Sequence, residues 1–183
     1  MAEGALRVAL LRGVNVGGHR KVPMADLRAL CVELGFGDVR SHVQSGNLVF
    51  TATGARADVE ARLEAGIEAR FGFPVDVMVV DAPDWRRLID QNPLPEAASE
   101  APRHYYVGVL KAPPAPGAAE RLEAKGQAGE VVRAVGGVLY LHFPLGAGRS
   151  KLGNVDAKVV GSPGTLRNWN TVLALQALID AVP

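Results

Sequence analysis

Hydrophobic positions along this chain switch between near-continuous runs and a helical period. Leu6–Leu11 (LRVALL) is almost wholly apolar and predicts a mostly buried strand. In Pro23–Leu34, Leu27, Leu30, Cys31 and Leu34 recur at i, i+3, i+4 and i+7, which predicts a helix with one buried stripe. Pro23 suits its start and Gly35 its C-terminal cap. Asp38–Gln44 and Leu48–Ala52 read as strands joined by a tight turn at Ser45-Gly46-Asn47. Asp58–Phe71 puts Val59, Leu63, Ile67 and Phe71 on one helical face, and Val75–Val80 is a short apolar strand. The predicted order is β-α-β-β-α-β, that of a ferredoxin-like unit.

The second half partly repeats the pattern. Asp84–Gln91 predicts a short helix, His104–Leu110 a strand and Ala118–Lys125 a helix. Val131–Val135 and Val138–Phe143 flank Gly136-Gly137, a strong hairpin signal. Ser150–Val160 predicts a helix carrying Leu152, Val155 and Val159, and Thr165 suits the cap of a last helix running to about Ala181. Asn92–Pro102 and Ala112–Gly117, rich in Pro and small residues, read as loops or linkers. The expected fold class is therefore α+β: a ferredoxin-like βαββαβ N-terminal lobe, then a second, incomplete ferredoxin-like lobe lacking its last strand, with a C-terminal helix. The expected divisions are 1–81, a helix and linker at 82–102, and 103–183, as separate lobes or one compact unit.

Composition narrows the class of protein. The chain has 183 residues with a formal net charge of +1, so wholesale electrostatic attraction to nucleic acid or anionic membrane is not expected. No apolar run reaches the ~18 residues of a spanning helix, and the N-terminus has no signal-peptide pattern. The expectation is a soluble cytoplasmic protein without a membrane partner. One cysteine excludes an internal disulfide framework. Four histidines without ligand spacing argue against a metal site, and nothing signals a cofactor. The oligomeric state is not encoded in any motif.

The predicted topology brings two unusual segments to one sheet edge. These are Arg12–Lys21 (RGVNVGGHRK), after the first strand, and Gln44–Asn47 (QSGN), between the second and third. Both are rich in hydrogen-bond donors, and neither contains Asp or Glu. The first also feeds a helix N-terminus, which favours an anion. Such an edge suits a phosphate, a carboxylate or a nucleic-acid backbone. The candidate ligand-binding residues are Arg12, Asn15, Gly17, Gly18, Lys21, Gln44, Ser45 and Asn47. Arg12 and Lys21 would neutralise the anion, the backbone at Gly17 and Gly18 would approach it, and Gln44, Ser45 and Asn47 would orient it. The plainer reading stands beside this one: the glycines satisfy turn geometry, and Asn47 tolerates a left-handed turn.

Other chemistry is tested and set aside. Gly13 and Gly18 have P-loop spacing, but His19 and Arg20 stand where Lys and Ser/Thr are required. Base-stacking aromatics on the sheet are limited to Phe50, which argues against an RNA-recognition sheet. Cys31 lies on a core stripe and reads as an inert buried thiol. Thr165–Thr171 (TLRNWNT) places Arg167, Asn168 and Asn170 at a helix start, where Asn is a poor helix former. Two readings stay open: a hydrogen-bonded lobe interface, or second-rank ligand contacts from Arg167 and Asn168.

The segments Leu11–Gly18 (LRGVNVGG), Val22–Arg28, Leu34–Phe36, Val43–Phe50 (VQSGNLVF), Asn92-Pro93, Gly148–Leu152 and Thr165–Thr171 together resemble the bacterial DUF1697 family, a domain of unknown function. They run in order through almost the whole chain. The resemblance implies an α+β, ferredoxin-like architecture and no established activity, cofactor or catalytic residue. His42 stands where the family has an aromatic, typically Tyr, so no role is carried onto that position.

The expected function is a binding protein that recognises an anionic, phosphate-bearing or nucleotide-like ligand at this edge, nucleic acid being the less favoured partner. One alternative is an enzyme on a phosphorylated or nucleic-acid substrate, with no assigned catalytic residue beyond a choice among His19, His42 and Lys151. The other is a structural or partner-binding protein whose polar motifs join the two lobes.

Overall fold

The computed structural model describes residues 4–153 and 155–183. Among these the architecture is α+β, with two four-stranded antiparallel sheets and seven α-helices. The chain divides into two compact units: one runs to Arg86 and includes Ala174–Pro183, the other is Arg87–Leu173.

The first unit contains β1 (Ala5–Leu11), α1 (Met24–Glu33), β2 (Gly37–His42), β3 (Asn47–Ala52), α2 (Arg56–Phe71), β4 (Val77–Asp81) and most of α3 (Ala82–Asp90). Its sheet order is β2-β3-β1-β4. Ala9 and Leu11 of β1 join Leu48, Phe50, Val77 and Val79 in a core sealed by Leu27 and Leu30 of α1 and Leu63 and Ile67 of α2. Val8, Leu10, Val49 and Met78 are buried as well. Burial on both faces explains why β1 reads as an apolar run rather than an alternation. Arg7 interrupts the run. It sits opposite Asp81, bonds its carboxylate through Nε at 2.8 Å, and donates to the Gly54 carbonyl at 2.8 Å.

The second unit contains α4 (Pro95–Glu100), β5 (Tyr105–Leu110), α5 (Ala118–Lys125), β6 (Val131–Val135), β7 (Val138–His142), α6 (Ala157–Val160) and β8 (Gly164–Asn168). The helix α7 (Trp169–Asp180) follows, its later residues clustering with the first unit. The sheet order is β6-β7-β5-β8. The expected two-residue turn is present, with φ +59° at Gly136 and +86° at Gly137.

Three expectations for this half are corrected. The second unit is not short of a strand. Gly164–Asn168, expected to lie partly in the last helix, pairs along β5 from Tyr106↔Asn168 to Leu110↔Gly164. The helix cap therefore moves from Thr165 to Asn168, whose side-chain oxygen accepts the Thr171 N–H at 3.0 Å. That removes the propensity conflict at Asn168, since Asn is a favoured cap, while Asn170 stays in the first turn of α7. Of the helix expected over Ser150–Val160 only the short α6 is present, and a 3₁₀ turn at Ala147–Arg149 lies just ahead of that span. Ser150 instead accepts the Leu152 N–H, and Asp156 accepts the Lys158 N–H to start α6 afresh. Asn154 lies outside the described residues. Finally, Asn92–Pro102 is not all loop: Asn92 accepts the Leu94 N–H, and Pro95 opens α4 at a position that needs no N–H donor.

Candidate functional site

The loop after β1 and the β2–β3 hairpin meet as the topology predicts. The Leu11 N–H donates to the Gly46 carbonyl at 2.9 Å. A Cβ on Gly46 would stand 2.6 Å from Leu11 Cβ and 2.8 Å from Val14 Cγ2, and the residue has φ +73°. Gly46 is therefore required twice, by conformation and by the closeness of the hairpin to the loop.

Asn15 completes the junction. Its amide nitrogen donates to the Gln44 carbonyl at 2.6 Å and the Val22 carbonyl at 2.9 Å, while its side-chain oxygen accepts the Val22 N–H at 2.8 Å. It sits at φ +56°, which Asn tolerates better than most residues. One side chain thus closes its own loop and clamps that loop to the hairpin.

Between Asn15 and Val22 the chain folds into a miniature hairpin. The Asn15 N–H donates to the Arg20 carbonyl at 3.1 Å and the His19 N–H to the Val16 carbonyl at 3.1 Å. Gly17 (φ +61°) and Gly18 (φ +77°) form the tip, and nothing lies within 4 Å of where their Cβ atoms would be. Positive φ at both central residues is what such a turn demands, and this accounts for both glycines.

The remaining candidates divide into buried and accessible. Asn47 is fully buried and donates to the His42 carbonyl at 3.1 Å, inside the hairpin. Lys21, Gln44 and Ser45 are exposed. Arg12 is partly exposed and faces Asp76 across 3.4 Å. The edge is therefore not free of carboxylates: Asp76, just before β4, enters from a segment that the sequence argument left out. Arg20 turns away, donating to the Pro74 carbonyl at 2.8 Å with its guanidinium over the Phe73 ring. Val43, expected inside a strand, has φ +49° and is 54% exposed. A β-branched residue in that conformation is strained.

Arg167 and Asn168 belong to the second unit. Arg167 is buried; it donates to Thr165 Oγ1 at 2.8 Å and the Leu166 carbonyl at 2.9 Å, and burial pushes its guanidinium down to about 10. It stays charged at neutral pH. Asn168 caps α7. Trp169 and Val172 at the start of α7 are buried, whereas Leu173 is exposed. Cys31 is buried and its thiol is pushed up to about 12 by burial, so it is inert as a nucleophile. Among the described residues, no three His, Cys, Asp or Glu side chains gather as metal ligands. No helix among them is long and apolar enough to cross a membrane.

Two antiparallel four-stranded sheets with the same strand order, the first with a clamped loop–hairpin edge, make this a two-sheet α+β protein. The conserved bacterial protein SP0830 from Streptococcus pneumoniae shares this fold, with a TM-score of 0.73 at 23% identity, over 96% of this chain and 98% of that one. Residues 6–140 match the family described as a protein of unknown function, DUF1697, and the chain belongs to that family. No curated protein matches it.

Proposed function

We propose that the chain is a cytoplasmic binding protein that takes an anionic, phosphate-bearing ligand at the edge formed by Arg12–Lys21 and Gln44–Asn47, and that both units are ferredoxin-like lobes. The single observation supporting the binding reading is the Asn15 clamp. One hydrogen bond from its side chain holds the cation-bearing loop against the donor-bearing hairpin, and two more with Val22 close the loop itself. Preorganised donors bind an anion with less ordering cost than mobile ones. In this reading Arg12 and Lys21 neutralise charge, and Gln44 and Ser45 orient the ligand. Gly17 and Gly18 offer exposed backbone, while Asn15 and Asn47 hold the frame. Arg167 and Asn168 serve their own unit, the first in its sheet and the second as a helix cap.

Thermal shift against pyrophosphate, ADP, glucose 6-phosphate and short RNA and DNA tests the reading. A ligand at a hundred times its Kd adds about 2.7 kcal/mol of stability. The expected result is a shift with a phosphate compound, lost in the Arg12→Ala, Lys21→Ala variant. A well-folded protein that responds to none of them contradicts the reading. A response confined to the oligonucleotides moves the ligand from metabolite to nucleic-acid backbone.

A further inference from the structure

The second unit carries a separate cavity, about 480 Å³, between α4 and the β6–β7 edge. Its size lies within the range of small-molecule sites. The walls are apolar: Pro93, Leu94 and Pro95 ahead of and at the start of α4, and Val131 on β6. Three polar groups line it as well. Glu96 and Glu100 stand one turn apart on α4, and His142 ends β7. Val131 and His142 sit opposite each other in the β6–β7 ladder, next to Val132 and Leu141 of the unit's helix-covered core. With alternating side chains, both point to the other face of the sheet, where α4 lies.

The charge of this lining is one-sided. Neither carboxylate has a hydrogen-bond or ion-pair partner among the described residues, and no Lys or Arg lines the cavity. Partial burial and the neighbouring His104 hold the His142 imidazole below its ordinary pKa, so at neutral pH it adds no compensating charge. A half-open, mainly apolar pocket with two exposed, uncompensated carboxylates at its rim matches a ligand with an apolar body and a cationic head. It repels the anions expected at the edge of the first unit.

We propose that this cavity binds a small primary amine with an aromatic or aliphatic body. The body fills the space between Leu94 and Val131, and the ammonium meets Glu96 and Glu100.

Phenethylamine and 3-phenylpropionate serve as probes, with nearly the same skeleton and opposite charge. Each is titrated into the full chain and followed by amide-resolved NMR. Saturable phenethylamine shifts at Leu94, Ala97, Val131 and His142 are expected, with none from 3-phenylpropionate. The Glu96→Gln, Glu100→Gln variant should weaken the amine about fivefold or more, as loss of two partly solvated ion pairs implies. Glu96 and Glu100 are exposed at the rim of the cavity, so both substitutions spare the buried packing, and the variant's own spectrum reports whether it is folded. Ala97→Trp, which fills the cavity from the same helix, should abolish the shifts. The proposal is overturned if phenethylamine gives no saturable shifts in these residues. Equal binding of the two probes, or undiminished binding in the folded double-Gln variant, overturns it as well.

Discussion

At the scale of single residues, the candidate site separates into frame and contact groups. Asn15 belongs to the frame. Replacing it by Ala removes three hydrogen bonds and leaves the Gln44 carbonyl and the carbonyl and N–H of Val22 to find other partners. With each bond worth about 0.5–1.5 kcal/mol net, Asn15→Ala should cost roughly 2–4 kcal/mol in chemical denaturation. Arg12→Ala and Lys21→Ala remove exposed or half-exposed cations and should change stability by less than about 0.5 kcal/mol each. Equal losses from all three variants would show that no division between frame and contact exists. This division was only partly legible in the sequence. Asn, Gly and Ser in a loop signal turns and ligand contacts alike, and the partner that decides between them is distant in the chain. Asn15 finds its second carbonyl at Gln44, and Asp76 reaches Arg12 from beyond α2. No local pattern reports either meeting.

At the scale of elements, periodicity served well wherever one stripe meets one core. The stripe of Leu27, Leu30 and Cys31 in α1, and that of Val59, Leu63 and Ile67 in α2, are buried as read. It failed at Gly164–Asn168, where a five-residue strand runs directly into α7 with no loop between them, and the last strand residue, Asn168, is also the helix cap. It failed again at Ser150–Val160, where Leu152, Val155 and Val160 are buried without a continuous helix to carry them. Pattern also gives no hint of how the sheet edges are protected. On β4, the Val77 and Val79 N–H groups donate to Glu64 and Glu60 of α2, each at 2.9 Å. On β6, the Val132 N–H donates to Glu123 of α5 at 2.8 Å, and that bond draws the Glu123 carboxyl below its usual range. Carboxylates satisfying edge N–H groups block pairing with another chain. Glu60→Ala, Glu64→Ala should therefore lower stability by about 1–3 kcal/mol and introduce concentration-dependent association. Light scattering at rising concentration checks the second effect; a destabilised but strictly non-associating variant would limit these carboxylates to a local role.

At the scale of the whole molecule, the near-neutral balance of charges hides local contrasts: a cationic edge in the first unit and an anionic cavity in the second. Acid should weaken the fold in two stages. His142 has its folded pKa below the ordinary 6.5, because burial and His104 disfavour its charged form. The unfolded chain then binds more protons than the native one just below pH 6.5. Stability from this source is complete above that pH and declines as the pH falls through it. Glu33, held low by Arg70, and Glu123, held low by the Val132 N–H, contribute stability present above about their ordinary 4.5 and lost as the pH falls below it. Denaturation profiles from pH 7.5 to 3.5 should show both stages, with His142→Gln removing only the upper one. An unchanged upper stage in that variant would place its origin elsewhere. The duplicated strand order was half visible in the sequence, since its last member is the strand that periodicity missed.

The measurement that bears most directly on the anion-binding edge is the affinity for pyrophosphate of three proteins: wild type, Arg12→Ala and Asp76→Asn. If the edge binds anions through Arg12, removing that cation should abolish measurable binding. Removing the carboxylate 3.4 Å from it should tighten binding severalfold, because a competing partner and a repelling charge vanish together. Opposite effects from these two neighbours, with melting temperatures nearly unchanged, are the predicted result. Pyrophosphate binding that is absent in the wild type, or indifferent to both substitutions, would contradict the account.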